Sequence, residues 1–173
     1  MAAAESIPEL AGASDGAVPL EGDRTRARVQ MRGDTQTKSF IESAIPTPTK
    51  VYLRLENVVG KGTPSDYTVF IDLEDDTLDP IAVGLLTTFG IAKSSDPDAA
   101  HGGGGMTQVY DISDAAEALR LTTESAPELR VSFERIVQQP VTEAIVPQDL
   151  EVNLSAPTDE PSVEVGRIGI YFD

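Results

Sequence analysis

Cysteine is absent from this 173-residue chain. No disulfide, thiolate metal site or cysteine nucleophile can therefore be built from it. Tryptophan is absent as well, and histidine occurs once, at His101. A lone imidazole cannot fill the ligand set of a binuclear copper centre or an imidazole zinc site, and it leaves a Ser-His-Asp triad only one position to use. Basic residues are scarce, with 13 Lys+Arg against 29 Asp+Glu and a formal net charge of -16. A nucleic-acid partner is excluded as a first reading, because phosphate neutralisation needs a basic patch. An anionic membrane surface is disfavoured for the same reason. The charge leaves room for a divalent cation or a basic partner surface. No apolar run approaches the ~20 residues of a membrane-spanning helix. The first eight residues have neither a basic start nor an apolar stretch, so no secretory signal is expected there, and the chain offers no indication of compartment.

What is present is alternation. Ala27, Val29 and Met31 alternate with Arg26, Arg28 and Gln30, and Val51, Leu53 and Leu55 alternate with Tyr52, Arg54 and Glu56. The same period-2 pattern runs through Tyr67–Leu73, Leu129–Glu134, Leu150–Leu154 and the final stretch from Val163 to Phe172, with Gly166 as the expected bulge point. One apolar and one wet face per strand is the pattern of antiparallel sheets over a single core. The expected core is Leu53, Leu55, Val69, Ile71, Val131, Phe133, Ile168 and Ile170. The nearly continuous apolar run Ile81–Phe89 predicts a central strand covered on both faces. Asp111–Leu119 predicts one short helix, with Ser113 as N-cap. The Pro/Gly-punctuated residues 1–17 read as a linker or tail, leaving 18–173 as one domain. The fold class is all-β: an antiparallel β-sandwich or barrel of about eight strands with one short helix.

Few residues suggest chemistry. The loop Lys93–Met106 contains His101 followed by Gly102, Gly103, Gly104 and Gly105, then Met106. It lacks the basic residue and following helix of a phosphate-binding loop. It reads either as a flexible excursion between strands or as a tongue presenting His101 or Met106 to a partner. Asp72, Glu74, Asp75, Asp76 and Asp79 form a dense acidic turn. It departs from the order of a calcium-binding loop, so a solvated turn is the leading reading. Asn57–Gly62 reads as a turn after a strand. Arg24, Arg26, Arg28 and Arg32 form a stripe on the polar side of the first alternating strand. It serves either cross-strand pairing with acids or docking onto an acidic surface.

Several segments taken in order resemble the C-terminal domain of the polyphenol oxidase (tyrosinase) family of type 3 copper proteins. Pro8-Glu-Leu-Ala-Gly-Ala-Ser-Asp-Gly-Ala-Val-Pro-Leu20 is similar to the stretch leaving the copper domain. Val51-Tyr-Leu-Arg-Leu-Glu-Asn-Val58 resembles the next core strand. Tyr67-Thr-Val-Phe-Ile-Asp72 keeps the Val-x-Ile of the family's Lys-Phe-Asp-Val-x-Ile-Asn segment without its start. Phe89-Gly90, Asp96-Pro-Asp98 and His101-Gly-Gly103 resemble the mid-domain loop, and Val163–Phe172 the closing strand.

The resemblance implies a β-rich companion domain that packs over the mouth of a copper site and inserts a blocking side chain. The partner it implies is the copper-binding catalytic domain of a tyrosinase-like enzyme, in cis or in trans. Copper would be held by that domain, so no cofactor, metal ligand or catalytic residue is expected here. The cysteine-assisted copper loading of some members has no counterpart in this chain. A free-standing β-sandwich module binding a protein or carbohydrate is the alternative, and an enzyme using carboxylates alone ranks third.

Overall fold

Alternation becomes architecture in the computed structural model, which describes residues 7–31, 50–73, 78–100, 103–119, 128–137 and 161–173. Nine strands are found among them: β1 (Glu9–Ala13), β2 (Val18–Pro19), β3 (Arg24–Met31), β4 (Val51–Lys61), β5 (Tyr67–Leu73), β6 (Ile81–Leu86), β7 (Met106–Asp111), β8 (Leu129–Arg135) and β9 (Ser162–Phe172). Eight lie in the order β6-β5-β8-β3-β1-β9-β4-β7, with β2 added to β9. Every described pairing is antiparallel. The two ends of the order, β6 and β7, approach each other through side chains, so the sheet forms a nearly closed barrel.

The inward phase of each strand makes the core. All eight expected core residues are fully buried, as period-2 geometry requires once one face is committed to the interior. The spine is β4 against β9, running in one register from Val51 opposite Phe172 to Lys61 opposite Ser162. Halfway along, both strands change phase. Leu53 and Leu55 point inward, then Val58; on β9 Val165 is inward, then Ile168. Asn57 accommodates the change with a left-handed backbone (φ 52), and Gly166 lies opposite. A Cβ on Gly166 would stand 2.8 Å from Asn57 Cβ and 3.1 Å from its carbonyl oxygen, so only glycine fits.

Several expectations are corrected. Asn57–Gly62 is not a turn after β4; the strand continues to Lys61, and Val58 and Gly60 are buried. Residues 9–13 are not linker: β1 lies between β3 and β9, and Ala11 is buried. The apolar run Ile81–Phe89 is not a central strand. β6 ends the sheet order, and Leu85 and Phe89 are exposed. Its hydrophobicity serves a barrel seam, where only one face meets the core.

Among the described residues there are two short helices where one was expected, α1 (Ile91–Ser95) and α2 (Ser113–Ala118). Ser113 is not the N-cap of α2 but its first residue. Its Oγ donates to Asp111 Oδ1 (2.5 Å) and accepts from the Val51 N–H (3.0 Å), tying the helix start to β4. The expected strand Leu150–Leu154 lies outside the described residues.

Candidate functional site

One end of the barrel gathers the features that bulk packing does not explain. Asp66, in the β4–β5 connection, is its hub. Asp66 Oδ1 accepts the Thr88 N–H at 2.7 Å, and the Asp66 carbonyl accepts the Ile136 N–H at 2.8 Å. The Thr88 hydroxyl lies 2.8 Å from the Pro64 carbonyl and 3.1 Å from Asp66 Oδ1, within donating reach of either. The β4–β5 loop, the turn after β6 and the end of β8 are thus held together.

Phe89 follows the buried Thr88 and is 96% exposed. Behind it, the Thr88 carbonyl accepts the first helical N–H, that of Ile91 (3.1 Å), and Gly90 takes a left-handed conformation. The ring therefore projects from a braced turn. Leu85 on β6 and Val109 on β7 are exposed as well, so apolar side chains face solvent on both strands of the seam. Beneath them the seam is closed by Tyr110 and Gln108. The Tyr110 hydroxyl is 3.0 Å from the Leu85 carbonyl and 2.8 Å from Gln108 Oε1, while Gln108 Nε2 donates to the Thr87 carbonyl at 2.9 Å. The Tyr110 ring lies on Gly84 in space that any side chain would need. Burial pushes its phenol up to about 12.

The same barrel end carries a cavity of about 490 Å³ that includes Arg135, Tyr67, Pro64, Ser65, Pro161 and Glu21. Arg135 is directly opposite Tyr67 in the β5–β8 register and continues the inward phase of Leu129, Val131 and Phe133. Among the described residues its buried Nε has no hydrogen-bond partner and Arg135 makes no ion pair.

Of the residues singled out in the sequence, Arg24, Arg26 and Arg28 do form an exposed stripe along the outer face of β3. Their cross-strand neighbours are Glu134, Ser132 and Arg130. Arg32 lies outside the described residues, as do His101 and Gly102. Gly103 and Gly105 both donate their N–H to the Ser94 carbonyl, at 3.0 and 3.2 Å. Gly105 has a left-handed φ of 70, and a Cβ there would stand 2.6 Å from the Val58 carbonyl. Gly104, next in line, has open space where a Cβ would point. Met106 begins β7 and is partly buried against the core. The acidic turn divides: Asp72 is buried within β5 and paired to Arg130, Asp79 is exposed, and residues 74–76 are outside the described set.

Sequence reasoning missed Arg135 and the exposure of Phe89. Arg135 had a visible signal, a charge in the inward phase of an alternating strand. Phe89 had none, because an apolar run looks alike whether its last residue is covered or bare.

The chain belongs to the family described as "Domain of unknown function (DUF7868)", whose model matches residues 7–173. No curated protein matches it.

Proposed function

We propose that this chain is a non-catalytic companion domain of a tyrosinase-like copper enzyme, shielding or regulating access to the copper site of a separate catalytic domain. The observation that supports this reading is Phe89, an aromatic ring 96% exposed on a braced turn. It lies in the segment that resembles the family's mid-domain loop. Shielding requires a protruding side chain on a rigid base, and preorganisation keeps the entropic cost of insertion low. The exposed Leu85 and Val109 add apolar surface for docking. A free-standing binding module is the second reading, favoured by the cavity at Arg135.

The test is a titration of a tyrosinase-type copper domain with this chain. Activity toward bulky phenols is expected to fall while bound copper stays constant. Phe89→Ala is expected to weaken inhibition by about tenfold, about 1.4 kcal/mol of lost contact. Unchanged activity at saturating chain, with no complex in light scattering, overturns the companion reading and leaves the binding module.

A further inference from the structure

We propose that the cavity at the Arg135 end of the barrel is a binding site for a small organic monocarboxylate. This stands apart from the docking reading, since it rests on different residues. Arg135 is a cation in the inward phase of β8, at the mouth of a barrel whose inward positions are otherwise apolar along that strand. The chain has more than two acidic residues for every basic one, yet Arg135 has no carboxylate partner among the described residues. Its buried Nε has no neutral acceptor among the described residues either. The Nε is enclosed, so a ligand would meet Arg135 through the part of the side chain that lines the cavity. A carboxylate bound there supplies the counter-charge that Arg135 lacks among the described residues.

The rest of the cavity narrows the ligand. At about 490 Å³ it has room for more than acetate. Pro64, Pro161 and the largely buried Tyr67 contribute apolar atoms to a lining that is on balance polar, and Ser65 also lines it. Glu21 also lines the cavity and makes no side-chain ion pair of its own among the described residues. Its negative charge disfavours a dianion such as inorganic phosphate more than a monoanion, so one carboxylate on an otherwise uncharged body suits a cavity lined by both Arg135 and Glu21.

The experiment uses the full chain with benzoate as probe and phosphate as the competing anion. Titration followed by amide shifts and calorimetry is expected to show saturable benzoate binding that moves the signals of Tyr67 and Arg135, with phosphate at least about tenfold weaker. Arg135→Met is expected to weaken benzoate by about tenfold or more. Glu21→Gln, an exposed position with little bearing on folding, is expected to strengthen benzoate and narrow its lead over phosphate. Should Arg135→Met fail to fold, the Glu21→Gln arm decides alone. No saturable binding, binding unaffected by both variants, or phosphate binding as tightly as benzoate overturns the proposal.

Discussion

Asp72–Arg130 and Glu56–Arg167 are one chemical arrangement built twice. In each, an arginine on one strand stands directly opposite a carboxylate on its neighbour, on the outward face of the barrel. Arg130 donates to both oxygens of Asp72, at 2.7 and 2.9 Å. Arg167 donates from Nε to Glu56 Oε2 at 2.6 Å and also pairs through its terminal nitrogen. Their surroundings differ. The Arg130 and Asp72 side chains are 12% and 2% exposed, those of Arg167 and Glu56 46% and 16%. Glu56 also accepts the Tyr171 hydroxyl at 2.5 Å, and Arg54 stacks 4.2 Å from the centre of the Tyr171 ring. Water can replace a partner lost there more readily than at the first site, where both side chains are largely shielded from solvent.

The largest effect is expected at the buried pair. Asp72→Ala removes the two-pronged carboxylate partner of Arg130 from a poorly solvated position and is expected to cost about 3–5 kcal/mol, read from the urea midpoint. A loss below about 1 kcal/mol would mean that water reaches Arg130, and the contrast between the two pairs would collapse.

Tyr110 lies between the two extremes, half-buried at the seam. Its folded phenol is raised from 10.0 to about 12 by burial. The unfolded chain therefore releases this proton first as pH rises, and the stability Tyr110 contributes is complete below pH 10 and is lost as pH climbs through about 12. Thermal midpoints measured between these limits are expected to fall more steeply in the wild type than in Tyr110→Phe. At neutral pH that variant is expected to lose about 1 kcal/mol with its hydroxyl contacts. Equal slopes in the two proteins would detach the seam from this titration.

The smallest effect is expected at the exposed pair. Glu56→Gln keeps an acceptor for Tyr171 and removes only the charge facing Arg167, so the expected loss is about 1 kcal/mol or less. The loss is expected to shrink further in high salt, which screens exposed charges beyond ~3 Å at 1 M. A salt-independent loss of several kcal/mol would place this pair in the same class as Asp72–Arg130.

The buried pair also marks the boundary of what was legible in the sequence. Asp72 belongs to a run of acids that reads as a solvated turn, and nothing local separates it from Glu74 or Asp75. Its role appears only when β8 brings Arg130 alongside, 58 residues away along the chain. Leu53 or Phe133 could be assigned inward from nearest neighbours alone, because period-2 alternation carries the information within five residues. The apolar run after Pro80 was misread for the complementary reason. Without alternation, hydrophobicity states how much is buried but not on which side. The seam position of β6 follows from the order of strands, not from their content.

The sequence by itself determined the class of fold, an antiparallel β-sandwich or barrel over an aliphatic core, together with the chemistries closed to a chain without cysteine and with one histidine; closure into a barrel was decided by the tertiary structure. It also located the phase change at Gly166, since Val163 and Val165 cannot share a face with Ile168 and Ile170 unless the strand bulges between them. Only the tertiary structure decided that residues 9–13 complete the sheet, that Asp72 is dry, that Phe89 stands in solvent, and that Arg135 faces a cavity without a carboxylate. Strand phase is a local property written every two residues. Burial, pairing and exposure depend on which distant segment arrives alongside, and that is settled only when the sheet closes.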